Sequence, residues 1–206
     1  FRAKYNIYPD EMKESIKILL EIIDTCLNEN EAYIIIHRFG IGNVKPKTQK
    51  EIADEINMSQ ANVSKLEKGI SDKIHSTEAI SHATVQIAQE LDADAIVTVT
   101  ESGFTARMIA KYRPKCYVVG VSRIPARVRA MQFYWGVRPL LGPSSDNTDE
   151  MIEISLKCAR EHGYVKDGDS VVITAGVPVG KPGSTNLIKV VNVGNKLLNG
   201  VGIGKR

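Results

Sequence analysis

The stretch "AIVTVTESGFTARMIAKYRPKCYVVGVSRIPARVRAMQFYWGVRPLLG", residues 95–142, decides the fold of the larger part of this chain. Short runs rich in Val and Ile alternate in it with helical runs of about ten residues, which is typical of a largely parallel sheet. Extended outward, the pattern predicts strands at 95–100, 116–122, 137–142, 170–176 and 186–193 and helices at 104–113, 124–134 and 148–163. Because the last strand follows the fourth with no room for a helix, we expect it to pair antiparallel. The sequence thus predicts an α/β three-layer domain with a mostly parallel five-stranded sheet over residues 76–206.

A further helix is predicted before the first strand, in "STEAISHATVQIAQELDA" at residues 76–93. Its apolar residues recur at helical spacing. We expect its inward face to carry Ala79, Ile80, Ala83, Ile87 and Leu91.

The first 75 residues predict an all-α helix-turn-helix domain. Helices are expected at 10–27 and 29–38, followed by two shorter segments whose starts carry capping residues, Thr48 and Ser59. Glu51, three residues after Thr48, completes a capping-box pattern. Two helices joined by a turn of about three to four residues match helix-turn-helix geometry. A plain helical hairpin with a solvated face would show the same pattern.

The exposed face of the second helix of this pair is the candidate DNA reader. Asn and Gln can bond adenine edges, and Lys can reach guanine or phosphate. The residues of this face are Gln60, Ala61, Asn62, Ser64, Lys65 and Lys68.

The stretch "TESGFTAR", at the end of the first strand, is a candidate anion site. Ligands of such sheets bind beyond the carboxyl ends of the strands, and a helix start attracts anions. Thr100, Ser102 and Thr105 supply hydroxyls there, and Gly103 permits close backbone approach. A phosphorylated metabolite is the expected guest, and a capped turn without a ligand is the alternative. Lys181, in the second Gly/Pro-rich stretch at 175–185, would reach another anionic group.

Composition limits the other classes of function. Residues 1–75 carry 11 Lys/Arg against 12 Asp/Glu, and residues 76–206 carry 16 against 12. A DNA-binding domain usually concentrates positive charge, so this near-neutral balance is also compatible with a protein partner for the helices.

The three Cys and four His are scattered, which predicts no metal site and no catalytic residues. No apolar run reaches the roughly 20 residues of a membrane span, and the unpaired Cys pattern favours the cytoplasm.

The stretch "HRFGIGNVKPKTQKEIADEINMSQANVSKLEKGI" resembles the C-terminal helix-turn-helix of bacterial sigma factors, over residues 29–74. That region of a sigma factor reads the promoter element near minus 35. The resemblance implies base contacts from residues 60–65 and backbone contacts from Lys47, Thr48 and Lys68. It also implies RNA polymerase as a partner. Nothing in the chain resembles the sigma segment that melts the minus-10 element.

The stretches "AIVTVTESGFTARMIAKYRP", "WGVRPLL" and "DGDSVVITAGVPVGKPGSTNLIKV" resemble the C-terminal domain of pyruvate kinase, over residues 76–206. The resemblance implies a sugar phosphate or nucleotide effector and a homodimer or homotetramer. It places the effector phosphate in the loop Thr100–Thr105, which includes Phe104, with a second loop at 177–184, including Lys181 and Gly183, closing alongside. Some effector-responsive relatives carry Lys where this chain has Glu101. The catalytic barrel of that family finds no counterpart in these residues.

Three functional hypotheses follow from these two resemblances. The first is a non-enzymatic, metabolite-sensing DNA-binding regulator of transcription. The second is a regulatory-domain fragment or chimera of pyruvate kinase, natural or engineered, without a DNA role. The third is an interaction module whose helices contact another protein such as RNA polymerase.

Overall fold

A computed structural model describes residues 16, 20, 23, 27–42, 44–142, 145, 147–177 and 185–194. The chain divides into two compact units, Phe1–Ser76 and Thr77–Arg206. The predicted helix at 10–27 lies outside the described residues except for Ile16, Leu20 and Ile23, which are helical, and Leu27, which lies in a bend.

The first unit contains a helix-turn-helix, as predicted. Its described helices are α1 (Glu29–Phe39), α2 (Gln49–Glu55) and the start of α3 (Gln60–Glu90). Asn28 and Thr48 cap α1 and α2 with complete capping boxes, which satisfies N–H groups that a helix start leaves unpaired. The Asn62 N–H donates to Ser59 Oγ at 3.2 Å, at the start of α3.

Four apolar side chains form the buried core of this helical pair. Ile34 of α1, Ile52 and Ala53 of α2 and Val63 of α3 are each at most 3% exposed. Small Ala53 lets the helices approach closely. The core is small, so the caps contribute a large part of what fixes the helix ends.

The second unit is an α/β domain with one five-stranded sheet. Its elements after α3 are β1 (Ala95–Val99), α4 (Phe104–Lys111), β2 (Tyr117–Ser122), α5 (Pro125–Met131), β3 (Val137–Leu141), α6 (Thr148–Glu161), β4 (Ser170–Gly176) and β5 (Thr185–Asn192). The strand order is β3-β2-β1-β4-β5. The pairs β1–β2, β1–β4 and β2–β3 are parallel and β4–β5 is antiparallel. The predicted fold class is therefore confirmed, including the antiparallel last strand.

Side chains of the central strands alternate between two hydrophobic clusters. On β1, Ala95 and Val97 pack into a cluster that includes Ile152 and Ala159 of α6. Ile96 faces the other cluster, with Ile109 of α4. This alternation is the period-2 geometry of a strand buried on both sides.

The predicted inward face of the helix at 76–93 is wrong in part: Ile87 packs against the second cluster, and Ile80 and Ala83 are half-buried. Ala79 is exposed and Leu91 is 51% exposed. The buried residues are instead Thr77, Ser81, Thr84, Val85 and Ala88. Hydropathy misleads here because two of the hydroxyls bond to the preceding turn: Ser81 Oγ donates to Thr77 O and Thr84 Oγ1 to Ile80 O, each at 2.7 Å, and a hydroxyl satisfied in this way can be buried.

Candidate effector site and candidate nucleic-acid interface

The candidate anion loop lies at the carboxyl ends of two neighbouring strands, β1 and β2. Thr100 follows β1, and its N–H donates to Val121 O of β2 at 2.9 Å. The loop then enters α4 through Gly103, whose φ is +82°. A Cβ at Gly103 would lie 3.1 Å from Met131 Cγ of α5. Both the backbone conformation and this close packing require glycine.

Hydroxyl groups of the loop already accept N–H groups at the start of α4. The Gly103 N–H donates to Thr100 Oγ1 at 3.0 Å, and the Phe104 N–H donates to Ser102 Oγ at 3.2 Å. Thr100 and the side chain of Phe104 are buried, at 7% and 8% exposure. The loop therefore holds its shape without a ligand, while a hydroxyl that accepts an N–H keeps a proton to donate.

A carboxylate and a guanidinium face each other across the ends of β1 and β2. Arg123 Nε donates to both carboxylate oxygens of Glu101, at 2.9 and 3.0 Å. The Glu101 side chain is 17% exposed and that of Arg123 is 48% exposed. The negative charge beside the loop is thus compensated by a cation of the same chain.

A pair of buried threonines joins α4 to the far side of the sheet. Thr105 Oγ1 and Thr185 Oγ1 lie 2.6 Å apart, with residue exposures of 4% and 5%. Their hydrogen bond positions the start of α4 against the start of β5. Lys181 and Gly183 lie outside the described residues.

The candidate reading face on α3 is presented entirely to solvent. All six of its residues are exposed: Gln60, Ala61, Asn62, Ser64, Lys65 and Lys68. Within the described part of the chain, Lys65 and Lys68 form no ion pair. The face is therefore available to a partner without breaking internal contacts.

The two residues expected to touch the DNA backbone from the start of α2 have internal partners. Lys47 Nζ lies 2.6 and 2.7 Å from the carboxylate oxygens of Glu55, and Tyr33 donates to Glu55 Oε2 at 2.8 Å. The hydrogen bond to Glu55 raises the pKa of Lys47. Thr48 Oγ1 accepts the Glu51 N–H at 3.2 Å and donates to Glu51 Oε2 at 2.8 Å.

The described residues were also compared with what a metal site or a reactive cysteine requires. No group of three or more His, Cys, Asp and Glu is placed to hold a metal ion there. Burial raises the pKa of the Cys116 and Cys158 thiols, and a protonated thiol is a poor nucleophile. Within the same residues, no helix combines the length and apolarity that crossing a membrane requires.

Sequence reasoning missed Arg123, Thr185, and the Glu55 partner of Lys47. Arg123 follows directly after the carboxyl end of β2, so the rule that ligands bind at such ends would have identified it. No local sequence pattern marked Thr185 or Glu55 as a residue of a site.

Comparison with known proteins identifies both halves of the chain. The family "Pyruvate kinase, alpha/beta domain" matches residues 78–191, which is more than half of the chain. The family "Sigma-70, region 4" matches residues 25–74. Both resemblances seen in the sequence are confirmed.

Curated relatives match the C-terminal part of the chain. Pyruvate kinase of Lactobacillus delbrueckii subsp. bulgaricus is 48% identical over 128 residues, covering 62% of this chain and 22% of the relative. That of Geobacillus stearothermophilus is 46% identical over 130 residues, covering 63% and 22%. That of Clostridium acetobutylicum is 40% identical over 144 residues, covering 70% and 30%. The chain thus spans less than a third of the length of these relatives.

Proposed function

We propose, on the premise that this chain belongs to the pyruvate kinase alpha/beta-domain family, that it is a non-catalytic cytoplasmic regulator of transcription. Its helix-turn-helix reads a promoter element of the minus-35 type. Its α/β unit binds a phosphorylated metabolite and changes the affinity of the reader. In this proposal the chain carries out no phosphoryl transfer itself, and the match of its second unit to the pyruvate kinase α/β domain supports a regulatory role.

The observation that carries this proposal is the solvent-exposed polar face at the start of α3. Gln60 and Asn62 offer amide groups that can bond two edge atoms of adenine. Lys65 and Lys68 follow on the same helix and are exposed, so they can reach guanine or phosphate. The match of residues 25–74 to sigma-70 region 4 supports the same assignment.

The effector function rests on the loop between β1 and α4. A sugar phosphate or a nucleotide would bring its phosphate to the hydroxyls of Thr100, Ser102 and Thr105 and to the start of α4. Arg123 would pair with the phosphate after leaving Glu101. Lys181 and Gly183 remain predicted effector-binding residues, with Lys181 reaching a second anionic group. No cofactor is needed for this role.

Self-association is part of the proposal. A single helix-turn-helix with few basic residues binds DNA weakly, whereas a homodimer or homotetramer would engage two half-sites at once. The family relationship of the second unit favours such assembly. RNA polymerase is the further partner that the sigma-like unit suggests.

The test is fluorescence anisotropy of a labelled duplex with a sporulation-type minus-35 element, against a scrambled duplex, at two salt concentrations. The expected result is a preference for the promoter duplex. Asn62→Ala should lower that affinity by about 1–3 kcal/mol, the usual cost of one base contact, and should reduce the preference. Ser71→Ala is the matched control, because Ser71 is exposed on the same helix beyond the reading face.

Equal and salt-sensitive binding to both duplexes, or no binding, would contradict specific recognition by this chain. RNA polymerase should then be added to the assay. Promoter preference only in its presence would assign the helices to a protein interface and support the interaction-module hypothesis.

A second candidate function is a regulatory piece of pyruvate kinase without a DNA role. The observation favouring it is the neutralisation of Lys47 by Glu55 in a unit whose charges nearly balance. It predicts effector binding and self-association but the same weak affinity for any duplex. Calorimetric titration with sugar phosphates, run beside the anisotropy assay, separates the two functions.

A further inference from the structure

A long segment of the second unit contains basic residues and no acidic ones. Residues 102–145 include eight Lys and Arg and neither Asp nor Glu. The segment includes α4, β2, α5 and β3, which contribute to the β3 and β2 side of the sheet order β3-β2-β1-β4-β5. Lys111 and Arg123 pair with Glu78 and Glu101 outside the segment. A basic surface of this kind attracts polyanions.

Exposed aromatic rings lie within the same segment. Phe133 is 91% exposed, Trp135 54% and Tyr117 52%. Trp135 precedes β3 and Tyr117 begins β2, and the two strand starts are joined by a hydrogen bond from the Val118 N–H to Gly136 O at 3.2 Å. Tyr117 and Trp135 therefore lie at adjacent strand starts, at the amino ends of β2 and β3, and Phe133 comes two residues before Trp135 in the chain.

Guanidinium groups lie over two of these rings. The Arg113 Cζ is 5.4 Å from the centroid of Trp135, and the Arg138 Cζ is 5.1 Å from the centroid of Tyr117. Alternating cations and aromatic faces are the combination that binds unstacked bases and their phosphates. We call Arg113, Tyr117, Phe133, Trp135 and Arg138 the arginine–aromatic surface.

Two carboxylates of the chain have partners outside the arginine–aromatic surface. Glu78 binds Lys111 Nζ at 2.6 Å. Asp94, close enough to raise the pKa of the Cys116 thiol, accepts the Ser170 N–H at 2.8 Å. The basic surface therefore favours an anionic partner from outside this chain.

We propose that the arginine–aromatic surface binds single-stranded nucleic acid, with bases stacked on Trp135, Phe133 and Tyr117 and phosphates paired with Arg113 and Arg138. Stacking requires bases that are not already stacked in a duplex. The surface lies at the amino ends of the strands, opposite the carboxyl-end anion loop. It is therefore a separate site from the proposed effector site, and it shares no residue with the reading face of α3.

The experiment uses the emission of Trp135, the single tryptophan of the chain. The full chain is titrated with an oligothymidylate of about ten nucleotides, within the usual range of site sizes. Saturable quenching that weakens with salt is expected. Phe133→Ala and Arg113→Gln should each weaken binding about fivefold or more. Val190→Ala is the control, because it removes an exposed apolar side chain from β5, at the opposite edge of the sheet from β3.

Three further titrations make the result decisive. Poly-glutamate carries negative charge without bases, so quenching equal to that of the oligonucleotide would overturn the proposal. Emission that changes with protein concentration alone would place a second copy of the chain on the surface and overturn it as well. Asn62→Ala should leave the oligonucleotide titration unchanged, and a parallel loss would assign the binding to α3. Absence of quenching at low salt would also overturn the proposal.

Discussion

The two candidate sites of this molecule differ in how many of their polar and charged groups already have partners within the chain. The reading face of α3 directs its polar side chains into solvent, and its Lys65 and Lys68 have no ion-pair partner within the described residues. The anion loop uses its own donors and charges: Thr100 and Ser102 accept N–H groups at the start of α4, and Glu101 holds Arg123. A partner of the first site adds contacts, whereas a ligand of the second must replace contacts.

This difference teaches where affinity can be changed by substitution. Removing a side chain from the reading face subtracts an interaction with the partner and leaves the fold intact. Removing an internal partner from the anion loop alters the loop before any ligand arrives, and can raise affinity when that partner competes with the ligand.

The largest expected effect is that of Gly103→Ala. The left-handed backbone at φ +82° and the 3.1 Å approach of Met131 Cγ together predict a loss of about 2–4 kcal/mol in the free energy of unfolding of the second unit. Gly163→Ala is the matched control, because φ there is +74° with nothing within 4 Å of the added Cβ. Urea unfolding followed by Trp135 fluorescence measures both. Equal losses would mean that packing against Met131 contributes nothing.

A smaller effect, of opposite sign, is expected from Glu101→Gln. The change removes the carboxylate beside the loop and releases Arg123 from its ion pair. Affinity for a sugar phosphate should rise roughly tenfold, a modest factor because Arg123 is half exposed and its interactions are screened. Calorimetric titration measures the change, with Asp167→Asn as the control, since it breaks an exposed arginine pair elsewhere in the unit. An unchanged or lower affinity would show that Glu101 does not compete with the ligand.

The smallest effect concerns the acid stability of the first unit. Hydrogen bonds from Thr48 lower the pKa of Glu51, and those from Lys47 and Tyr33 lower the pKa of Glu55. Groups with lowered pKa stabilise the fold fully above their unfolded value of 4.5, and this contribution is lost as the pH falls through the folded pKa. Helical circular dichroism in urea should therefore show the first unit weakening below about pH 4.5.

Thr48→Ala tests the same prediction by removing the hydroxyl partner of Glu51. It should lower the stability of the first unit by about 1 kcal/mol at neutral pH and flatten the acid decline. Trp135 fluorescence, which reports on the second unit, serves as the internal reference. An acid decline as steep as in the parent would mean that other carboxylates cause it.

The secondary structure could be predicted because the sequence patterns that determine it are local. The Val and Ile runs place all five strands within one or two residues of their observed bounds, and the pair Thr48 and Glu51 marks the start of α2. The buried face of α3 after residue 76 could not be predicted from hydropathy. Ser81 and Thr84 are polar, but they can be buried because their hydroxyls donate to carbonyl groups of their own helix.

The residues of the anion loop could also be predicted from the sequence, but the pairs that its side chains form could not. Arg123 meets Glu101 across 22 residues of sequence and Thr105 meets Thr185 across 80. These pairs depend on the strand order, which brings β2 beside β1 and β5 beside β4. Periodicity within one element carries no information about such neighbours.

The central claim is that a phosphorylated metabolite controls the DNA reader, and one measurement tests it most directly. The affinity of the full chain for the promoter duplex is determined with and without each of a panel of sugar phosphates and nucleotides, in the parent and in Glu101→Gln. The account predicts that at least one metabolite changes the affinity by about 5–150-fold, at lower metabolite concentration in the variant. Identical duplex affinities throughout the panel, with metabolite binding established by calorimetry, would contradict it.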